Sequence, residues 1–232
     1  MQTVAFVPCR AASERVPNKN TRPFAGEADG LIGIKLKQLL ACAAIDRIVL
    51  STNDARVIEI AMRYAQGAKP IEIIRRPEHL CLSTTSTDEL ITYVPSIIPE
   101  AVVLWTHVTS PMVGTGEYAA AVAAYRKGLA SGYDSLMSVT ELRSFVWNAS
   151  GPINYDRAKE KWPRTQTLAP LLVVNSAVFM ADVGLMRRLN DRIGERPLLY
   201  AMEERISYEI DWEEQFLIAE RLYSQCVSER RP

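Results

Sequence analysis

The chain has 232 residues, 48% apolar and 23% charged, the balance of a globular protein with enough apolar residues for a full core. Its 27 basic residues equal its 27 acidic ones, which speaks against a broad basic face that coats nucleic acid. Cys9, Cys42, Cys81 and Cys226 are scattered with no C-x-x-C pair, so reduced thiols are expected rather than a zinc site or a disulfide framework. No apolar run approaches the ~18 residues of a membrane span and no leader-like segment opens the sequence, so the expectation is a cytoplasmic protein without membrane or nucleic-acid partners.

Thr3–Val7 is apolar and β-branched, the pattern of a strand buried on both faces of a parallel sheet, and Pro8 is expected to end it. The loop that follows carries Arg10, Arg15 and Lys19 among the small residues Ala11, Ala12 and Ser13, and closes on Asn20. A strand that runs into a small-residue basic loop is how α/β proteins cradle anions at the carboxyl edge of a sheet, and a triphosphate suits this one. Neither G-x-x-x-x-G-K-[ST] nor G-x-G-x-x-G is present, and a solvated surface loop is the plainer alternative.

Leu31–Ala43 reads as a helix, with Leu31, Ile34, Leu36, Leu39 and Leu40 inward and lysines 35 and 37 between them. Asp46–Thr52 returns as a strand. Asn53 and Asp54 can cap the next helix, whose expected buried stripe is Val57, Ile58, Ala61, Met62 and Ala65. Ile71–Ile74 follows as a strand, completing a βαβαβ pattern that implies parallel strands joined by right-handed crossovers. Ser51, Asn53 and Asp54 therefore fall at the ligand-binding edge of the sheet, where capping and ligand contact are competing explanations.

Ser86 and Glu89 have capping-box spacing for a helix to Ile98. Before it, Ser83 is either a turn residue or a hydroxyl for a base or ribose. Ala101–Thr106 is a strand that delivers His107, Thr109 and Ser110 to the same edge, and Thr115 is expected to cap an alanine-rich helix to Ser131. Tyr133–Thr140 reads as a strand. From Arg143 to Trp162 short strand-like pieces alternate with turns, and Phe145, Trp147, Tyr155 and Trp162 concentrate there, as in a lid or an oligomer contact.

Near the end, Glu209 and Asp211 are two apart on an expected strand and so share a face. Two carboxylates opposite a triphosphate loop suit Mg²⁺, with phosphate and water completing the coordination. Asp211 with Glu214 also reads as a capping box for the last helix, which explains that aspartate without a metal but leaves Glu209 unexplained.

R-x-x-S-x-R-x-P-x-K-N at 10–20 resembles the signature of the cytidylyltransferases that activate nine-carbon acidic sugars, the CMP-N-acetylneuraminate, CMP-pseudaminate and CMP-legionaminate synthetases. S-T-N-D at 51–54, R-P-x-x-L at 76–80, T-S-P at 109–111, P-R-T-Q at 163–166, N-S-A-V-F at 175–179 and E-x-D at 209–211 follow in the family's order. His107 stands where the family has glutamine, Val113 replaces an arginine, and Ser176 replaces a glycine.

The resemblance implies a Rossmann-like nucleotide-diphospho-sugar transferase fold, mostly parallel and flanked by helices. One domain spans 1–232, with a β-arm insertion at about 141–170 that serves dimerisation and covers the sugar. It implies transfer of CMP from CTP to a 2-keto acidic sugar with release of pyrophosphate, using Mg²⁺, in a homodimer. Arg10, Lys19 and Asp211 would be catalytic. Arg10, Ala11, Ala12, Ser13, Arg15, Lys19, Asn20, Ser51, Asn53, Asp54 and Ser83 would bind the nucleotide. His107, Thr109, Ser110, Arg143, Arg164, Asn175 and Phe179 would meet the sugar, Arg164 by pairing with its carboxylate. Glu209 and Asp211 would hold the metal. The alternative is a degenerate relative that binds nucleotide or only dimerises.

Overall fold

The computed structural model describes residues 1–11 and 13–229, with side chains as far as residue 226; Ala12, expected in the phosphate loop, lies outside the described residues. β1 (Thr3–Cys9), α1 (Gly30–Ala41), β2 (Arg47–Thr52), α2 (Ala55–Tyr64), β3 (Ile71–Arg75), α3 (Thr87–Ile97) and β4 (Val102–Trp105) follow the expected alternation. They lead to α4 (Thr115–Ala130), β5 (Ser135–Leu142), β6 (Trp147–Asn148), β7 (Gly151–Pro152), β8 (Leu171–Asp182), α5 (Val183–Leu189), β9 (Pro197–Ala201) and α6 (Glu213–Glu229). α5 and β9 carry no strong pattern in the sequence and were not expected.

The seven-stranded sheet has the order β3-β2-β1-β4-β8-β5-β9. β8 is antiparallel to β4 and β5, and the other strands share one direction. The chain builds β1, β2 and β3 outward and then returns to lay β4 on the opposite side of β1. Between β1 and β4 the direction of winding reverses, and the loops leaving their carboxyl ends part to form a crevice. β1 continues through Pro8 to Cys9, pairing there with β2. Its ladder with β4 stops at Phe6↔Trp105, so the missing N–H of Pro8 costs no rung on that side.

Side chains alternate across the sheet and fill two cores. Val7, Leu50, Leu104 and Met180 pack with α1, α2, α4 and α6 on one face. Phe6, Trp105, Phe179 and Ala181 pack with α3 and α5 on the other. In α2 the buried residues are Val57, Ile60 and Ala61, whereas Met62 is 58% exposed, so the stripe is rotated from the expected one. α4 is capped at Gly114, not Thr115: Glu117 accepts from the Gly114 N–H, and the Thr115 hydroxyl donates to the Gln38 carbonyl. Lys37 is exposed beside Glu27, but Lys35 is fully buried, contrary to the sequence pattern. The four cysteines are unpaired, and no helix among the described residues is long and apolar enough to cross a membrane.

β5 and β8 pair as far as Leu142↔Leu171, and the chain between them forms an arm with the small β6–β7 ladder. Phe145 packs edge-on against Tyr155 and Trp162 at 5.2 and 5.4 Å, a small aromatic cluster of the arm's own.

Candidate active site

The loop after β1 is held open by its own polar groups. Asn20 donates its amide to the Arg10 carbonyl (3.0 Å), and Asn53 accepts from the Ala11 N–H (2.9 Å), tying the loop to the end of β2. Asn18 turns the chain at φ 52°, a left-handed conformation that asparagine tolerates. Gly30 lets α1 begin directly beneath the loop: at φ +60° a Cβ there would lie 2.3 Å from the Arg22 carbonyl oxygen. Ser13, Arg15, Lys19 and Asn20 line a cleft of about 290 Å³ with Arg10, His107 and Thr109. No ion pair or hydrogen bond engages the Arg10 guanidinium among the described residues.

The carboxylates arrive from the far end of the chain. α6 is pinned to the same loop by Arg22, which donates to both oxygens of Glu213 (2.7 and 3.0 Å) and stacks on Phe216. Phe24 adds an edge-on contact with Phe216, and Glu220 accepts from the Ala25 N–H. Residues 208–211 are not a strand; Ile210 donates to the Thr109 carbonyl instead. That docking brings Asp211 to 3.0 Å from Arg15 and 4.0 Å from Lys19, whose ammonium donates to the Ile210 carbonyl (2.8 Å). Glu209 accepts from the Thr109 hydroxyl (3.3 Å). Burial lowers the Lys19 pKa, and Asp211 and Glu209 pull it back up.

The expected capping box between Asp211 and Glu214 is absent. Gln215 accepts from the backbone N–H groups of both Asp211 and Trp212 (2.7 and 3.0 Å). The Asp211 side chain therefore faces the cations rather than the helix end.

His107 stands between two clefts that it lines together with Pro8 and Arg10. Trp105 donates its indole N–H to His107 Nε2 (2.9 Å), which fixes the proton of the neutral ring on Nδ1 and leaves that N–H as a donor for a ligand. Burial, with Arg192, Lys19, Lys35 and Arg76 nearby, holds its pKa down at about 3, so the ring is neutral at physiological pH. The second cleft, about 240 Å³, is walled by Leu80, Leu82 and Leu90 and by the hydroxyls of Ser83, Thr85, Ser86 and Thr87.

Several expected ligand residues serve the framework. Ser51 is buried, and Arg76 donates to both its hydroxyl (3.1 Å) and its carbonyl (2.7 Å). Asp54 caps α2, accepting from the Arg56 and Val57 N–H groups. Ser110 is buried with its carbonyl on Lys35, and Phe179 lies in the core. Asn175 is enclosed by Ser138 and Thr140 (2.6 and 2.9 Å) beside the cleft that Glu209 and Asp211 line. Arg143 pairs with Glu141 on the arm, and Arg164 is exposed there. One cation at the crevice was not among the expected ligands: Arg76, which lines the second cleft and is signalled only by its place in R-P-x-x-L.

Among the described residues no three His, Cys, Asp or Glu side chains converge as a ready metal cage. Mg²⁺ needs less, one or two carboxylates with phosphate and water, and the donor chemistry of Glu209 and Asp211 fits.

A family model described as cytidylyltransferase matches residues 4–229. Pseudaminic acid cytidylyltransferase of Campylobacter jejuni is 38% identical over 69 residues, 30% of this chain and 28% of that protein. CMP-N,N'-diacetyllegionaminic acid synthase of Legionella pneumophila is 36% identical over 64 residues, 28% of this chain and 27% of that one. The matched stretches thus span little more than a quarter of these relatives' length.

The structure of CMP:2-keto-3-deoxy-manno-octonic acid synthetase complexed with CTP superposes with a TM-score of 0.65 at 15% identity, covering 97% of this chain and 99% of that one. The 4-diphosphocytidyl-2C-methyl-D-erythritol synthase of Anaerococcus prevotii gives 0.63 at 13% identity, with 95% and 97% covered. These two share the fold. On the match across nearly its whole length, the chain belongs to the cytidylyltransferase family.

Proposed function

We propose that the protein transfers CMP from CTP to the anomeric hydroxyl of a 2-keto acidic sugar, releasing pyrophosphate. One observation carries this reading: the basic loop after β1 meets the Asp211 carboxylate, nearly 200 residues on, directly, with Glu209 held beside them by Thr109, which lines the loop's own cleft. A protein that only bound nucleotide would have no use for that second charge set. The family relationship supports the nucleotide, and the two named sugar synthases support an acidic acceptor.

The adjoining clefts divide the nucleotide by chemistry. The one with leucines and hydroxyls suits the cytosine and ribose, and the cationic one suits the triphosphate. Arg10, Arg15 and Lys19 would neutralise the phosphates. The acceptor hydroxyl attacks the α-phosphorus, loses its proton to water in the open crevice, and the bridging bond to pyrophosphate breaks. Catalysis is then mainly positioning and charge stabilisation. Glu209 and Asp211 would hold Mg²⁺, which supplies further neutralisation of the triphosphate.

The exposed apolar residues Leu142, Leu172, Val173 and Val174 at the outer end of the β5–β8 pair support a homodimer built through the arm. The test of function is pyrophosphate release from CTP with a panel of eight- and nine-carbon 2-keto sugar acids. Release with at least one acid and Mg²⁺ is expected; CTP binding without release from any acid would leave only the binding reading.

A further inference from the structure

We propose that Lys35, with Gln38 beside it, positions the Thr109–Ser110–Pro111 turn and so keeps Glu209 and Ile210 in register with the phosphate loop. This assignment rests on the transfer reaction proposed above. Lys35 is fully buried, and its ammonium donates to the Ser110 carbonyl (2.9 Å) and to the Tyr118 hydroxyl. No salt bridge compensates its charge among the described residues, and Glu117 favours it only from a distance. Burying a cation without a close counter-ion is costly, and an apolar side chain of similar length would fill the space without that cost. What an apolar side chain cannot supply is a donor to the turn. The Val113 N–H adds only a long contact (3.4 Å) to the Ser110 carbonyl, so Lys35 is its short donor. Gln38, three residues on and on the same helical face, donates to the next carbonyl, that of Pro111 (2.6 Å).

The turn matters because of what hangs on Thr109. Its hydroxyl donates to Glu209 (3.3 Å), and its carbonyl accepts from the Ile210 N–H (3.0 Å). The Ile210 carbonyl in turn receives Lys19 (2.8 Å). The carbonyl of Asn20, the next residue, accepts from the Ile32 N–H of α1 (3.0 Å). The links therefore close a circuit from the phosphate loop through α1 and Lys35 to the turn, the carboxylate segment and back to Lys19. α1 is the rigid bar of that circuit, with Ile32 and Lys35 less than one helical turn apart on it. Such a bar fixes the separation between the cationic loop and the carboxylates. Groups that orient a ligating carboxylate govern metal affinity without touching the metal. Lys35 reaches Glu209 in this way through Thr109, and it lines neither of the clefts assigned to the nucleotide.

The test measures the melting shift given by CTP alone and the further shift on adding Mg²⁺, alongside pyrophosphate release. In the parent, Mg²⁺ should add to the CTP shift, because it binds the folded site. Lys35→Met should keep the CTP shift and the KM for CTP but lose most of the Mg²⁺ increment. It should also need roughly tenfold more Mg²⁺ for half-maximal turnover. Tyr118→Phe is the control: it removes the ammonium's other bond, leaves the one to Ser110, and should keep the parent's Mg²⁺ requirement. A requirement raised equally in both variants means general loosening and overturns the assignment. An unaltered requirement in Lys35→Met also overturns it, while the transfer reaction stands. A parent that releases no pyrophosphate with any acid overturns both. Should Lys35→Met fail to fold, Gln38→Met decides, since it frees only the Pro111 carbonyl. A raised Mg²⁺ requirement there supports the assignment, and an unchanged one overturns it.

Discussion

The half of the sheet from β1 to β4 and the half from β5 to β9 are built by different means. In the first, each strand is followed by the helix that covers it, and strand, turn and helix signals are all local. In the second, β8 is threaded antiparallel between β4 and β5, the arm stacks its aromatics on one another, and α6 returns across the molecule to grip the first loop. On the function proposed above, the first half would provide the phosphate cradle and the second the carboxylates. Catalytic competence would then lie in the contacts between the halves, which few local patterns announce.

The sharpest way to break this division is at Asp211. If the C-terminal segment is catalytic, Asp211→Asn and Glu209→Gln should each reduce turnover by orders of magnitude. Their stability should barely change, because Gln215 takes the helix-capping bonds and an exposed pair such as Arg15–Asp211 contributes about 0–1 kcal/mol. Near-normal, metal-dependent turnover in both variants, measured by pyrophosphate release, would return the site to the first half alone.

Lys19→Ala probes the seam from the other side. The ammonium donates to Ile210 and faces Asp211, so its loss removes a phosphate cation and a tie between the halves. Turnover should fall roughly a hundredfold or more, as when one preorganised donor is removed from a charge-stabilising site. The tie itself is worth about 1 kcal/mol, so melting should move by only a few degrees. Full activity would exclude the triphosphate from this loop.

How much of this was legible in the sequence follows the same line. Between Thr3 and Trp105 the elements fall within a few residues of expectation, because βαβ units declare themselves through short-range patterns. α5 and β9 were missed, since neither has a strong apolar period and β9 pairs with a strand some sixty residues earlier. Glu209 and Asp211 are expected from sequence to share one face of a strand, but residues 208–211 are not a strand. Lys35, between Ile34 and Leu36 on an apolar helix, has nothing in its local pattern that sets it apart from exposed Lys37, so its burial is not legible there.

The arm offers a milder test. Leu172→Glu and Val174→Glu place charge on exposed apolar positions outside the main core, so the fold should melt within a few degrees of the parent. If the arm joins two copies, light scattering should report half the mass at micromolar concentration. An unchanged mass would assign the apolar strip to something other than a second chain.

The smallest effect concerns the core of the first half, where Lys35 is buried with its ammonium on the Ser110 carbonyl (2.9 Å) and the Tyr118 hydroxyl, itself bonded to Thr106. Burial lowers its pKa from 10.5 to about 7, with Glu117 pulling the other way. Between those two values the unfolded chain holds a proton that the folded chain has released. Stability should therefore rise with pH through that window and be least favoured below pH 7, with a slope of at most about 1.4 kcal/mol per pH unit. Buried Cys9, whose thiol is pushed up to about 12, acts in the opposite sense once unfolded thiols ionise near pH 8.5, so the parent's curve alone is ambiguous. Lys35→Met cancels that term in the difference. The variant loses two hydrogen bonds at every pH, a constant offset, and should gain on the parent as pH falls from 8.5 to 6.5. Denaturant midpoints across that range decide it, and parallel curves would mean that Lys35 is paired and charged as firmly inside the fold as in water.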